Sequence, residues 1–224
     1  MATILARESW DGAEVAKSDR HLPLSSLPPV LALYEPLSVE CPYVQTSPKL
    51  LDSWREHITP FPGLRVGIAW AGSTRHAGDR NRSMGFEELA ALFSIPGISF
   101  FNLQIEENER FPADCQKQRF IDLTSQITDF AETAALMEQL DLIISVDTAT
   151  AHLAGALCRP AWTLLPFVPD WRWGLEREDT PWYPTMRLFR QKTAGDWGEV
   201  IQRVALELRV RSSQPRASAL PTAL

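Results

Sequence analysis

The sequence after Pro62 alternates short apolar runs with helical patterns. Alternation of this kind is typical of βα units stacked around a parallel sheet. The predicted strands are residues 65–71, 99–103, 120–123, 142–146, 161–165 and 186–189. The predicted helices are residues 86–93, 129–140, 148–157 and 196 to about 210. We therefore predict an α/β fold with a Rossmann-like parallel sheet and helices on both faces.

The first 62 residues have a different character, because prolines repeatedly interrupt their short apolar runs. This pattern predicts an irregular N-terminal extension rather than a core element. Within it, residues 49–58 place Leu50, Leu51, Trp54 and Ile58 at the spacing of a short amphipathic helix. Residues 63–211 are predicted to form the Rossmann-like domain, and residues 212–224 a disordered tail.

The composition of the chain limits its possible binding partners and its cellular location. The formal net charge of −6 gives the protein no overall attraction to nucleic acid or to an anionic membrane surface. No run approaches the roughly 18 apolar residues of a membrane span, and the first residues lack the pattern of a signal peptide. Cys41, Cys115 and Cys158 are odd in number and far apart, so we expect reduced thiols. These observations predict a cytoplasmic protein.

The segment LIISVDTATAHLAGAL, residues 142–157, runs from an apolar strand directly into a helix rich in small residues. A helix that begins at the carboxyl end of a parallel strand presents free N–H groups and a positive dipole end to the crevice where such folds bind phosphates. Asp147 stands at the expected N-cap, Thr148 and Ala149 follow, and His152 falls in the second turn. The alternative is an Asp N-cap that satisfies the helix without any ligand.

A second candidate is VGIAWAGSTRHAGDRNRSM, residues 66–84, in which a strand leads to Gly72, Ser73 and a basic loop. The potential cations of this loop are Arg75, His76, Arg80 and Arg82. The planar fork of arginine suits two phosphate oxygens at once, so the loop is fitted to neutralise a diphosphate. In the alternative, the loop is exposed and its arginines pair with Asp79 and with solvent.

A third candidate is the long predicted loop of residues 164–191, where Trp171, Trp173, Trp182 and Tyr183 stand among prolines. Flat rings beside a nucleotide site can stack on a base or a sugar. Clustered tryptophans can equally close the edge of a sheet. The residue pattern leaves both alternatives open.

Several familiar sites are absent from the sequence. No GxGxxG follows the first strand and no GxxxxGK[ST] occurs, which argues against a dehydrogenase and a P-loop enzyme. There is no Asp-x-Asp pair to hold a metal on a diphosphate, and the four histidines are scattered. We therefore expect no metal and no cofactor, and a metal-independent stabilisation of bound phosphates.

Taken together, these segments resemble the C-terminal, donor-binding domain of GT-B glycosyltransferases of the heptosyltransferase type. The resemblance is closest to versions fused to tetratricopeptide repeats in bacteria. It covers residues 66–191 and rests on the strings VGIAWAG, DRNRSM, LIISVDTATAHLAGAL, RPAWTLLP, PDWRWGLEREDTPWYP and RLFRQ.

The resemblance implies a nucleotide-diphosphate sugar as donor and transfer of its sugar to an acceptor hydroxyl. It also implies that the strand-to-helix turn cradles the donor diphosphate, that the basic loop faces it, and that both stabilise the leaving group. The residues predicted to bind the donor are Gly72, Ser73, Arg82, Ser83, Asp147, Thr148, Ala149 and His152.

One departure from the family pattern affects the predicted activity. A GT-B enzyme has a second Rossmann-like domain before this one, which usually supplies the acceptor cleft and the catalytic base, and 62 residues are too few to build it. We therefore predict a truncated enzyme and assign no catalytic base. The alternative is a catalytically inactive interaction or regulatory module, in which a protein partner or self-association replaces the missing domain. A cofactor-dependent oxidoreductase is a third alternative, against which the missing glycine fingerprint argues.

Overall fold

The computed structural model describes residues 30–32, 40–75, 78–105 and 119–214. The chain divides into two compact units, Met1–Leu37 and Ser38–Leu224, and the elements below belong to the second. Most of the predicted irregular extension and residues 215–224 of the predicted tail lie outside the described residues.

In the described part of the chain, six parallel strands form one sheet in the order β3-β2-β1-β4-β5-β6. The strands are β1 (Leu64–Ala69), β2 (Ile98–Asn102), β3 (Phe120–Ile121), β4 (Leu142–Val146), β5 (Ala161–Leu165) and β6 (Met186–Arg190). The chain runs outward from β1 to β3 and then returns to place β4 on the other side of β1, where Val66 lies opposite Leu142. Ligands bind at such reversals of strand order, outside the carboxyl ends of the strands. The predicted Rossmann-like α/β fold is confirmed.

The predicted strands agree closely with the observed ones. β4 and β5 begin and end at the predicted residues, because both are short runs with every residue buried. β1 ends at Ala69, two residues earlier than predicted. β3 is shorter than predicted and holds only Phe120 and Ile121, since it lies at the edge of the sheet and pairs with β2 alone.

Helices cover both faces of the sheet. On one face lie α1 (Pro48–Ile58), α4 (Phe130–Glu138) and α5 (Ala149–Ala156). On the other face lie a 3₁₀ turn (Phe86–Leu89), α3 (Ala90–Phe93) and α6 (Trp197–Ser213). α2 (Asp79–Arg82) is a single turn in the loop after β1. Because both faces are covered, β2, β4 and β5 are buried along their whole length.

Two predicted helices differ from the observed ones. The segment predicted as one helix at residues 86–93 is a 3₁₀ turn that continues into the single turn of α3. The last helix, α6, begins after Asp196, whose side chain accepts a hydrogen bond from the Glu199 N–H, and it continues to Ser213 instead of ending near residue 210. Its buried stripe, which includes Val200 and Val204, holds it against the sheet.

α1 lies in the same compact unit as the sheet. The Ser47 side chain caps it by accepting a hydrogen bond from the Leu50 N–H at 3.3 Å. Trp54 and Ile58 are buried, and Trp54 Nε1 donates to Glu132 Oε2 on α4 at 2.5 Å. The helix predicted at residues 49–58 is therefore confirmed, and this contact ties it to the face that also carries α5.

The prediction of reduced thiols is wrong for two of the three cysteines. A disulfide joins Cys41 to Cys158, which follows α5, and the two Cα atoms are 5.4 Å apart. The segment before α1 lies along the end of α5, where the Tyr43 N–H donates to the Ala156 carbonyl oxygen at 3.0 Å. The separation of 117 residues gave no spacing signal in the sequence, and Cys115 lies outside the described residues. Since disulfides are rare in cytosolic proteins, the cysteines no longer support the cytoplasmic prediction.

Candidate functional site

A cavity of about 590 Å³ opens at the carboxyl ends of β1, β2 and β4, where the strand order reverses. The loops after β1 and β4 supply what we call the polar wall: Ala71, Gly72, Ser73, Arg82, Thr148, Ala149 and Thr150. The segment after β2, the loop before α4 and the start of α4 supply the apolar wall: Leu103, Ile105, Ile127 and Phe130. Gln104, Thr128, Asp129 and Thr133 complete the lining.

The loop after β1 is held in place by hydrogen bonds to its backbone. The Ala71 N–H donates to Gln104 Oε1 at 3.0 Å, and the Gly72 N–H donates to Ser83 Oγ at 2.9 Å. A Cβ atom at Gly72 would lie 2.5 Å from Nη2 of Arg82. Glycine is therefore needed at this position so that the guanidinium can lie against the backbone.

Arg82 carries the positive charge of the polar wall. Its Nε donates to Asp79 Oδ1 at 3.1 Å, and its Nη1 donates to the backbone carbonyl oxygen of Asp147 at 2.9 Å. The pairing with Asp79 that the sequence left open is therefore present. Arg82 nevertheless lines the cavity. Its Nη2 takes part in neither of these two hydrogen bonds and lies beside Gly72.

The N-terminus of α5 is open toward the cavity. Its N-cap is Thr148 rather than the predicted Asp147, and the Thr148 hydroxyl makes no capping bond; it lies 3.2 Å from Ser145 Oγ. The N–H groups of Ala149 and Thr150 belong to the first turn and have no acceptor within the helix. The first turn contains no acidic residue. Unsatisfied N–H groups and the positive end of the helix dipole favour an anion at this position.

Asp147 stands one residue before the N-cap, and its two polar groups lie beside Arg82 and His152. The backbone carbonyl accepts from Arg82, and carboxylate Oδ1 lies 3.8 Å from Nε2 of His152. The His152 ring also places Nδ1 2.9 Å from the Tyr183 hydroxyl and stacks on Trp173 at 5.3 Å between ring centroids. Burial lowers the pKa of the His152 imidazole, and the charge of Asp147 partly opposes this shift.

The apolar wall was not found by sequence reasoning. Phe130 is 62% exposed and Ile105 is 51% exposed, although both are large apolar residues beside a cavity. Asp129 lies at the same rim, where its side chain caps α4 by accepting from the Glu132 N–H at 2.9 Å. One signal could have located this wall: residues 103–105 follow β2 at the same sheet edge as Gly72 and Thr148.

The structure brings together five of the eight residues predicted to bind a donor, because Gly72, Ser73, Arg82, Thr148 and Ala149 all line the cavity. The other three do not line the cavity but lie next to residues that do or to one another. Ser83 Oγ accepts a hydrogen bond from the Gly72 N–H, and the Asp147 carbonyl oxygen accepts one from Arg82. Nε2 of His152 lies 3.8 Å from the Asp147 carboxylate.

The remaining candidate residues lie away from this cavity. Arg75 and Arg80 are exposed and do not line it, and His76 lies outside the described residues. None of the four aromatic residues singled out in the loop after β5 lines it either. Within residues 40–75, 78–105 and 119–214, no group of three or more His, Cys, Asp or Glu side chains is arranged to hold a metal ion.

The family model for glycosyltransferase family 9 (heptosyltransferase) matches residues 32–189, which include the whole sheet except its last residue. The chain belongs to glycosyltransferase family 9. Protein FlbA of Caulobacter vibrioides is 29% identical over 176 residues, which make up 75% of this family 9 chain and 29% of FlbA.

Two solved structures of this family have a similar fold. ADP-heptose LPS heptosyltransferase II of E. coli superposes with a TM-score of 0.53 at 18% identity, over 79% of this chain and 55% of that protein. A family 9 glycosyltransferase of Veillonella parvula superposes with a TM-score of 0.52 at 14% identity, over 75% of this chain and 54% of that protein. The family 9 chain thus spans about half the length of these two structures and less of FlbA.

No helix among the described residues combines the length and the apolar character needed to cross a bilayer.

Proposed function

We propose that the chain binds a nucleotide-diphosphate sugar in the cavity and acts as the donor-binding, C-terminal half of a GT-B glycosyltransferase. The observation that carries this proposal is the uncapped N-terminus of α5, which faces the same cavity as the Arg82 side chain. Free N–H groups and a guanidinium on one wall provide charge-assisted donors for phosphate oxygens.

The two walls match the two parts of a nucleoside diphosphate. The polar wall receives the diphosphate through the N–H groups of Ala149 and Thr150 and through Arg82. The apolar wall receives the base, for which Leu103, Phe130 and their neighbours offer flat apolar surface. The volume of about 590 Å³ lies in the range of small-molecule sites.

The proposed reaction transfers the sugar from the donor to an acceptor hydroxyl. As the glycosidic bond breaks, negative charge builds on the departing diphosphate. Arg82 and the N-terminus of α5 are fixed before the reaction, so they stabilise this charge without reorganising. In this proposal the phosphates need no metal ion, and the acceptor and the catalytic base come from outside the described residues.

Two further parts of the proposal rest on the sequence resemblance alone: the truncation relative to a complete GT-B enzyme and the association with tetratricopeptide repeats. The cytoplasmic location rests on the composition of the sequence instead. Each stays a prediction.

A second candidate function is a catalytically inactive interaction module. The observation that favours it is a group of exposed apolar side chains in the loop between β5 and β6, where Phe167, Val168, Trp171 and Leu175 are 49–76% exposed. Exposed apolar groups of this kind are common where proteins associate. In this reading a protein partner or a second copy of the chain covers the loop.

Calorimetric titration of the purified chain with ADP, UDP and GDP, without added metal, separates the two functions. The donor-domain proposal expects saturable binding of at least one of them, and magnesium is not required for it. Absence of binding by all three, in a chain shown to be folded by circular dichroism, would contradict the proposal. Sedimentation analysis of the same sample measures self-association directly.

A further inference from the structure

Gln104 is a buried polar side chain in the lining of the cavity. It follows β2, stands between Leu103 and Ile105 of the apolar wall, and is only 7% exposed. Glutamine is mostly found exposed, and polar groups in enclosed positions are nearly always hydrogen-bonded. The partners of each polar atom of Gln104 therefore show which of its groups are left for a ligand.

The backbone at Gln104 is fixed by the edge of the sheet. Its N–H donates to Asn102 Oδ1, on β2, at 2.8 Å. Asn102 Nδ2 in turn donates to Asp122 Oδ1, just after β3, at 3.1 Å. The same oxygen of Asp122 accepts from the backbone N–H and the hydroxyl of Thr124 at 3.0 and 2.7 Å. Gln104 is thus held by groups at the ends of two neighbouring strands.

The orientation of the Gln104 amide follows from its contact with the loop after β1. The Ala71 N–H donates to the side chain of Gln104 at 3.0 Å. A backbone N–H can only donate, so the atom that it meets is the amide oxygen and not the amide nitrogen. The other arm of the amide is therefore the NH₂ group, which carries two N–H donors.

This NH₂ group has no acceptor in the part of the chain that the structure describes. The two hydrogen bonds of Gln104 there use its backbone N–H and its Oε1, and neither uses Nε2. Nε2 is also not one of the fully buried polar atoms that lack a partner among the described residues. It is therefore accessible, and because Gln104 lines the cavity, a ligand in the cavity can accept from it.

The Gln104 amide lies where the two walls of the cavity meet. Its oxygen is bonded to Ala71, which belongs to the polar wall and precedes Gly72. Its backbone continues on both sides into the apolar wall, at Leu103 and Ile105. In a nucleoside diphosphate, the group that joins the diphosphate to the base is the ribose. A ligand with its diphosphate on the polar wall and its base on the apolar wall therefore places the ribose beside this amide.

We propose that Gln104 is a specificity-determining residue whose NH₂ group donates a hydrogen bond to a ribose hydroxyl oxygen of the donor. This role rests on the proposed function and names the part of the ligand that one lining residue recognises. A hydroxyl oxygen can accept such a bond. A deoxyribose lacks that oxygen and leaves the amide unpaired in an enclosed site, so the cavity selects ribonucleotides over deoxyribonucleotides.

The first experiment observes the Gln104 NH₂ group in the wild-type chain by ¹H–¹⁵N NMR. The chain is titrated with whichever of ADP, UDP and GDP binds, and with its 2′-deoxy and 3′-deoxy counterparts. The two side-chain signals are assigned by their loss in Gln104→Met. We expect one NH₂ proton to move downfield with the ribonucleotide, and not to do so with at least one deoxy counterpart. Signals that stay in place at saturation, or that move equally with all three ligands, would overturn the proposed role.

The second experiment measures the same ligands by calorimetry in the wild type and in Gln104→Met, whose side chain has a similar length but no amide. We expect the wild type to bind the ribonucleotide about fivefold more tightly than at least one deoxy counterpart, the effect of one hydrogen bond. In Gln104→Met this ratio should fall to about one. The ratio is the readout because the variant also removes the acceptor of the Ala71 N–H, and that loss weakens binding of all the ligands alike.

Ser83→Ala is the matched control for this effect on the loop. Its hydroxyl accepts from the Gly72 N–H at 2.9 Å, so the variant removes a second hydrogen bond that holds the same loop and leaves the Gln104 amide in place. All affinities should fall together in Ser83→Ala, and the fivefold ratio should persist. An equal loss of the ratio in Ser83→Ala and Gln104→Met would show that the order of the loop sets the preference, and would overturn the role of Gln104.

The wild-type measurements separate a failure of this role from a failure of the proposed function. A folded wild-type chain that binds the ribonucleotide and both deoxy counterparts equally keeps the proposed function and overturns the role of Gln104. A folded chain that binds none of ADP, UDP and GDP overturns both.

Discussion

Nη1 of Arg82 donates a hydrogen bond to the backbone carbonyl oxygen of Asp147 at 2.9 Å, although the two residues are 65 positions apart. This bond joins the loop after β1 to the turn that begins α5. It places the cation and the open helix N-terminus on the same wall of the cavity. The polar wall therefore forms as one unit, and a change at Arg82 should affect both of its parts.

Arg82→Ala should weaken binding of the preferred nucleoside diphosphate by about 10- to 100-fold, the range for losing a charge-assisted hydrogen bond. Calorimetry at constant ionic strength measures the change. Arg80→Ala is the matched control, because Arg80 lies on the same helical turn but is exposed and does not line the cavity. Equal losses in the two variants would show that only the general charge of the loop matters.

Gly72→Ala should weaken nucleotide binding and lower the thermal stability. The new Cβ atom would meet Nη2 of Arg82 and Oδ1 of Asp79, each at 2.5 Å, so the ion pair must move. We expect a loss of about 1–3 kcal/mol in the free energy of unfolding, as for other overpacked sites. Gly198→Ala, at the start of α6, is the control, because its Cβ atom would have no neighbour closer than 3.5 Å. It should leave nucleotide affinity unchanged and the thermal stability unchanged or slightly higher.

Phe130→Ala should weaken nucleoside diphosphate binding by about fivefold or more, because stacking of a base on an aromatic ring contributes ~1–3 kcal/mol. Phe130 is 62% exposed, so the fold should be unaffected. Inorganic pyrophosphate is the informative second ligand, since it has no base. Its affinity should be the same in the variant and in the wild type, and a parallel loss for both ligands would contradict the assignment of the apolar wall.

The disulfide between Cys41 and Cys158 should stabilise the chain by about 2–4 kcal/mol, because it closes a long loop. Differential scanning calorimetry should show a lower melting temperature for Cys41→Ser than for the oxidised wild type. A reducing agent should lower the wild-type melting temperature to the same level and leave the variant unchanged. If reductant has no effect on the wild type, the two cysteines are not joined in solution.

Local sequence patterns predicted most of the sheet and the polar wall. The strands β4 and β5 are continuous apolar runs, and Gly72 and Thr148 each follow a predicted strand, so their place at the carboxyl edge could be inferred before the structure. Only the spacing of apolar residues along the sequence and the geometry of parallel strands are needed to infer this.

The features that were missed depend on tertiary contacts. Phe130 is the first residue of α4, and nothing in the neighbouring sequence indicates that its ring lies at the rim of a cavity. Asp is a common N-cap residue, but α5 begins one residue later than predicted, so that Thr148 is the N-cap and the Asp147 carbonyl accepts from Arg82. Helix 86–93 was predicted as regular because a 3₁₀ turn has nearly the same apolar spacing.

In the proposed function, a nucleoside diphosphate binds at the N-terminus of α5. The most direct test follows the backbone ¹H–¹⁵N signals of the ¹⁵N-labelled chain during titration with the preferred nucleoside diphosphate. We expect the amide protons of Ala149 and Thr150 to move strongly downfield, because they become donors to phosphate oxygens. Saturable binding that leaves these two signals in place and shifts residues elsewhere would contradict this expectation.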